Sequence, residues 1–235
     1  MFISQTRLTV IVFTSVALLP ALANAALEKN WSPYASLEGG LGLQKIYNVN
    51  FKNPRLPHLI QNSHNSAVPS GAFALGTGLP CLPLRLELRT TINGQSNFNR
   101  EYFFPNFMSV VGVQKLNIRS NDLMLRGYWD LPFQVITPYL SLGAGATWNK
   151  TIAMQYAPQL PGWIHQFVGT TRSSFAWSAG VGVTKALEKH FTLNAGFNYV
   201  FRGNFNTGGL PKTGDEHISG KLYSNELLVG FSYYL

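Results

Sequence analysis

The sequence is poor in charged residues and in cysteine. Charged residues make up 12% of the 235-residue chain, which is about half the usual share in soluble proteins. The single cysteine, Cys81, excludes an internal disulfide framework and any metal site built from several cysteines. Apolar residues are common, yet they form no run of about eighteen or more, so the sequence contains no candidate transmembrane helix.

Residues 1–25 have the pattern of a secretory signal peptide. Arg7 supplies the positive charge, Leu8 to Leu19 form the apolar segment, and Ala23-Asn24-Ala25 is a small-residue cleavage site. The apolar segment of about twelve residues is too short to span a bilayer. We therefore expect an exported protein whose mature chain, residues 26–235, begins at Ala26 and forms a single domain.

The mature chain alternates between apolar and polar residues. From Tyr34 onward, eight segments have the two-residue period of a β-strand with one apolar face. The clearest one sets leucines against charges: Leu84, Leu86 and Leu88 against Arg85, Glu87 and Arg89. Short connections near 79–83, 131–137 and 185–190 alternate with long ones around 48–70, 93–120, 150–173 and 203–221. This pattern predicts an all-β fold, a transmembrane antiparallel up-and-down eight-stranded β-barrel with short periplasmic turns.

Two stretches of the sequence carry a family resemblance. The C-terminal segment, Gly230-Phe231-Ser232-Tyr233-Tyr234-Leu235, resembles the terminal signal of bacterial outer-membrane barrels, with Leu235 where phenylalanine is commoner. The runs at 123–130 and 138–145 look like the central hairpin of the small OmpA-type outer-membrane barrels. The resemblance covers the whole mature chain and implies a place in the outer membrane of a Gram-negative bacterium. The peptidoglycan-binding domain of the larger relatives is absent from the sequence.

The charged residues of the strands fall mostly on the inward face of the expected barrel. Glu87 and Arg126 lie at the same distance from the turns that bound their strands, and Glu38 lies at a similar height across the lumen. We therefore predict a lumenal ion-pair network of Glu38, Arg85, Glu87, Arg89 and Arg126. Such a network would either plug a narrow interior or gate a small conducting pore.

The long connections are basic and aromatic. Their cations are Lys52, Arg55, Arg100, Lys115, Arg119, Lys150 and Arg172, and their aromatic residues include Tyr102, Phe103, Phe104, Phe107, Trp163 and Phe167. This surface suits lipopolysaccharide phosphates or a host ligand, although aromatic residues also belt a membrane and pack hairpins. The net charge of +8 is explained by lipid phosphates, so we expect no nucleic-acid partner. We expect no metal site, because the loop histidines lack the spacing of metal ligands. We also expect a monomer without cofactor.

A His-x-Ser motif near the C-terminus is the one sequence feature that favours an enzyme. Lipid A deacylases are eight-stranded outer-membrane barrels that use a His-x-Ser pair with an acid, and this chain has His217-Ile218-Ser219. His217 and Ser219 would share the outward face, as a base and a nucleophile should. Glu226, however, would point inward, and Asp215 lies in a glycine-rich loop. The expected function is therefore a non-enzymatic structural or surface-interaction role through the long loops, with a gated pore or a lipid A-modifying hydrolase as alternatives.

Overall fold

The structure is a computed structural model that describes residues 32–52, 65–80, 82–104, 107–131, 133, 135–209 and 217–235. Within the strands, the side chains of residues 51–52, 102–104 and 107–111 are not described. The predicted signal peptide, residues 1–25, and the expected first mature residue, Ala26, lie outside these ranges. Among the described residues, no helix has the length and apolar character needed to cross a membrane.

The described part of the chain folds into nine β-strands. They are β1 (Ser32–Lys52), β2 (Asn65–Gly78), β3 (Leu84–Phe104), β4 (Phe107–Asp130), β5 (Thr137–Tyr156), β6 (Ile164–Gln166), β7 (Thr170–Ala186), β8 (Phe191–Asn206) and β9 (His217–Tyr234). The short turns between β2 and β3, β4 and β5, and β7 and β8 lie where the sequence predicts them. The expected long connections 93–120 and 150–173 are mostly strand, because β3, β4, β5 and β7 extend into them and β6 lies within the second.

Eight of these strands close into a ring. Neighbours pair antiparallel in the order β1, β2, β3, β4, β5, β7, β8 and β9, and β9 pairs again with β1. The three-residue β6 extends the edge of β5 beyond β7. The row of paired residues that starts at Tyr34 runs around the ring and returns to β1 at Gln44, ten residues further along. Such a stagger tilts eight strands by about 40° from the barrel axis. The predicted eight-stranded barrel is confirmed.

The outside of the lower barrel, near the short turns, is apolar. Large side chains such as Leu37, Leu142, Val181 and Leu227 are exposed there. Aromatic residues border this surface: Phe191 packs against Tyr233 near the turns, and the upper group consists of Tyr47, Trp177, Tyr199, Phe201 and Tyr223. On tilted β9, Tyr233 and Tyr223 are separated by about 25 Å along the barrel axis, which matches the apolar band of an outer-membrane barrel.

Bulges interrupt the alternation in the upper barrel. The register shifts between Tyr47 and Asn50 in β1, between Ile92 and Gln95 in β3, and between Phe201 and Asn204 in β8. Two of these sites use the left-handed backbone region, Asn48 with φ of 48° and Gly203 with φ of 68°. Each bulge reverses which residues of its strand face inward.

A layer of apolar side chains fills the interior at the level of the bulges and just above them. This buried cluster is composed of Ile46, Phe98, Leu116, Ile118, Ala153, Phe167, Phe205, Ile218 and Leu222. The cluster draws on β1, β3, β4, β5, β8 and β9 together with Phe167, which lies between β6 and β7. Packed apolar side chains therefore occupy the interior at this level.

Candidate functional site

Charged residues line the lumen near the short turns, beginning with Arg85. Its guanidinium makes two hydrogen bonds to Asp130, at 2.6 Å from Nε and 2.7 Å from Nη2. The rings of Tyr34, Tyr128 and Tyr139 lie 4.8–5.8 Å from the same guanidinium. Cation–π contacts and the bidentate pair therefore hold Arg85 in place.

Arg89 joins the two inward glutamates. Its Nη2 lies 2.5 Å from Glu38 Oε2 across the lumen, and its Nη1 lies 3.4 Å from Glu87 Oε1. Glu87 also accepts hydrogen bonds from the hydroxyls of Tyr34, at 3.1 Å, and Tyr128, at 2.9 Å. The structure thus brings together three of the five residues of the expected network.

The other two residues of that network have different partners. Arg85 pairs with Asp130, which lies outside the expected set. Arg126 lies directly opposite Glu87 across β3 and β4, as expected. Its Nη1 nevertheless donates to Asn198 at 3.1 Å, and within the described chain Arg126 forms no ion pair. The side chain reaches across the lumen toward β8 because Gly143, its neighbour on β5, leaves room.

A second group of charges lies higher in the lumen. Arg202 contacts Asp122 at 3.1 Å and also pairs with Glu226. All three side chains are fully buried. Burying two carboxylates requires a shared cation, because an unpaired buried charge costs several kcal/mol. The alternation places these residues on the inward face, but the sequence analysis did not pair them.

Two glycines let aromatic rings lie flat against the lumenal wall. A Cβ at Gly76 would collide with the ring of Tyr34, and a Cβ at Gly182 would collide with the ring of Tyr139. Gly76 and Gly182 each belong to a Gly-x-Gly pair, Gly76/Gly78 within β2 and Gly180/Gly182 within β7. Their role is close packing in a narrow, curved sheet.

The residues of the hydrolase hypothesis do not form a triad with Glu226. Strand β9 places Ile218 and Glu226 on the buried side, and His217 and Ser219 are only half-buried. Glu226 pairs with Arg202 inside the lumen and cannot orient His217 on the opposite face. Asp215 lies outside the described residues.

Comparison with known proteins assigns this barrel to a family. Residues 11–234 match the family described as the outer membrane protein beta-barrel domain. The chain belongs to this family. It is accordingly an outer-membrane protein of the Gram-negative type, and both the predicted family and the predicted location are confirmed.

Several relatives of this outer-membrane barrel are known. Outer membrane protein PagN of Salmonella typhimurium strain LT2 is 25% identical over 240 residues, which covers 94% of this chain and 98% of PagN. Neisserial surface protein A is 16% identical, covering 86% of this chain and 96% of that one, with a TM-score of 0.47. Ail, the attachment invasion locus protein of Yersinia pestis, is 12% identical, covering 86% and 98% respectively, with a TM-score of 0.37.

The outside of the outer-membrane barrel carries cations just above its upper aromatic residues. Lys150 lies two residues beyond Trp148 on β5, and Lys221 lies two residues beyond Tyr223 on β9. Arg119 is directly opposite Lys150 across β4 and β5. We call these exposed cations the collar; its members are Arg119, Lys150, Arg172 and Lys221. Within the described chain, none of them forms an ion pair.

Two of the expected loop residues are not on the surface. Arg100 and Phe167 are buried in the upper interior. The sequence pattern predicts connections at 93–120 and 150–173, whereas in the structure a bulge after Ile92 keeps β3 in the sheet with its faces exchanged. Asn93-Gly94, at that bulge, is the signal in the sequence. The side chains of Lys52, Tyr102, Phe103, Phe104 and Phe107, and residue Arg55, lie outside the described part.

Proposed function

We propose that this outer-membrane barrel is a sealed, non-enzymatic platform whose extracellular part meets surface partners. The apolar cluster above the bulges is the observation that carries this proposal. Ions cross a lumen only where water or polar groups replace their hydration shell, and a packed apolar cluster offers neither. The lumenal ion pairs then serve to neutralise buried charge.

The proposal is tested by the conductance of purified protein in planar bilayers, beside Glu87→Ala and Arg126→Ala variants. A sealed barrel gives no steady current for the native protein. The variants stay silent as well, because the apolar cluster lies above the residues that they change. A gated pore would conduct more in the variants than in the native protein. Steady conductance of that kind would contradict the sealed barrel and favour the pore.

The collar suits the phosphates of lipopolysaccharide in the outer leaflet. Arg119 and Lys150 are like charges directly opposite one another, an arrangement that is unfavourable unless an anion lies between them. Trp148, two residues below Lys150 on the same face, places the pair at the level of the lipid headgroups. We therefore assign the predicted lipopolysaccharide partner to this surface.

The amount of lipopolysaccharide that remains bound after gentle extraction from outer membranes tests this assignment. An Arg119→Gln/Lys150→Gln double variant should retain less lipopolysaccharide per protein than the native chain. Lys185→Gln is the matched control, because Lys185 is exposed at the opposite end of the barrel, beside the short turns. Equal retention by the double variant and the native chain would refute the collar as the lipopolysaccharide contact.

A further inference from the structure

A row of polar side chains lies inside the barrel on the extracellular side of the apolar cluster. Arg100 on β3 is opposite Gln114 on β4, which is opposite Gln155 on β5. All three are buried, Arg100 with 5% and Gln114 with 1% of its surface exposed. The next row below is formed by Phe98, Leu116 and Ala153 of the apolar cluster. The polar row therefore lies directly above the apolar cluster.

Neither Arg100 nor Gln114 has its polar atoms satisfied. Arg100 forms no ion pair within the described chain, and its buried Nε has no hydrogen-bond partner. Both Nε2 and Oε1 of Gln114 also lack partners. Burial lowers the pKa of Arg100 to about 10, and no carboxylate counteracts this change. Arg100 thus stays charged at neutral pH, with its Nε buried and with no ion-pair partner among the described residues, which is costly unless an anion binds it.

The next inward positions above this row carry only small residues. Gly112 is the next residue of β4 with the same orientation as Gln114, and it contributes no side chain. Ala157, the first residue after the neighbouring strand β5, contributes only a methyl group. A group that approaches from the extracellular side would meet Arg100 and Gln114 before it meets the apolar cluster.

We infer that Arg100 and Gln114 form an oxyanion-binding site inside the extracellular mouth of the barrel. The guanidinium offers two parallel N–H donors, which match a carboxylate, sulfate or phosphate group. Gln114 adds an amide donor to the anion and an acceptor for a neighbouring hydroxyl. The ligand class is a small acidic solute or acidic sugar from the external medium. This site lies within the barrel and is separate from the collar outside.

Ligand-dependent stability provides the test. Protein extracted in detergent is heated with increasing sodium glucuronate or sodium sulfate, with sodium chloride holding the ionic strength constant and methyl glucoside as the uncharged control. Unfolding is followed by tryptophan fluorescence. An anion that binds only the folded protein raises Tm with the logarithm of its concentration once that concentration exceeds Kd, so glucuronate or sulfate raises Tm whereas methyl glucoside does not. The two salts distinguish a site for carboxylates from a site for sulfate and phosphate esters.

Arg100→Gln and Arg100→Lys identify the residue responsible. Arg100→Gln should abolish the anion-dependent rise, and Arg100→Lys should weaken anion binding by about tenfold or more, because lysine cannot make the bidentate contact. Lys185→Gln, which removes an exposed cation beside the short turns, should keep the full effect. Without added anion, Arg100→Gln should unfold at a temperature equal to or above that of the native protein, because it removes an unpaired buried charge.

Three results would overturn the site. The first is a native protein that responds to glucuronate and sulfate no more than to chloride. The second is an Arg100→Gln variant that keeps the response. The third is a lower Tm of Arg100→Gln without added anion, which would show that Arg100 already has a structural partner. None of these results depends on conductance or on retained lipopolysaccharide, so the site and the proposed function can fail separately.

Discussion

The lower and upper parts of the barrel have opposite polarity. Below the bulges, apolar side chains such as Leu142 face outward and charges such as Arg89 and Glu87 face inward. Above the bulges, cations such as Lys150 are exposed and apolar side chains such as Leu116 are buried inside. The lower part is built for lipid and the upper part resembles a soluble barrel. One continuous sheet can therefore face lipid in its lower part and water in its upper part when some of its strands shift register between the two parts.

The largest expected effect concerns the paired buried charges of the lower part. Arg202→Met leaves Asp122 and Glu226 without their cation and should lower the free energy of unfolding by about 3–5 kcal/mol. Urea unfolding in lipid vesicles measures this change. Adding Asp122→Asn and Glu226→Gln to Arg202→Met should restore much of the loss. A loss below about 1 kcal/mol for Arg202→Met alone would mean that the three charges are hydrated.

A pair of substitutions on β5 compares the two outer surfaces directly. Leu142 and Ile152 both face outward on this strand, 70% and 38% exposed respectively. Leu142→Arg places a charge against lipid and should cost about 2–4 kcal/mol. Ile152→Arg lies beyond Trp148, in the aqueous part, and should change stability by less than about 0.5 kcal/mol. Equal costs for the two variants would mean that the lipid boundary does not lie near Trp148.

A smaller effect is expected from single hydrogen bonds in the lower lumen. Tyr128→Phe removes the hydroxyl that donates to the buried Glu87 carboxylate. We expect a loss of about 1.5–3 kcal/mol, because the acceptor is charged and buried. Tyr47→Phe, on the exposed outer surface, is the matched control and should change the unfolding free energy very little. If the two tyrosine variants are equally stable, water has access to Glu87.

The lower part of the barrel could be predicted from the sequence almost completely. Strict alternation assigns Arg85, Glu87 and Arg89 to the lumen, because a charge facing lipid is costly. The three short turns follow from the same pattern. The partners of these charges were harder to predict, since Asp122, Arg202 and Glu226 lie on strands that are not all adjacent. Which residues meet across the lumen depends on the stagger of the ring, and no local pattern encodes that stagger.

The upper part could not be predicted because a bulge is a one-residue event. Alternation continues on both sides of it, so the sequence shows no change of character where the two faces exchange. Gly203 and Asn48, which adopt left-handed backbone conformations, mark two of the bulges, yet glycine and asparagine are also common in ordinary turns. Consequently, Phe98 and Phe205, which pack in the apolar cluster, were not recognised as core residues.

The reversal of polarity along β5 is tested most directly with an environment-sensitive fluorophore at single cysteines. Cys81→Ser removes the native thiol, and Leu142→Cys or Ile152→Cys then supplies one labelling site each. In lipid vesicles, the account predicts blue-shifted emission, protected from aqueous iodide, at position 142 and red-shifted, iodide-quenched emission at position 152. The same emission and the same quenching at both positions would contradict it.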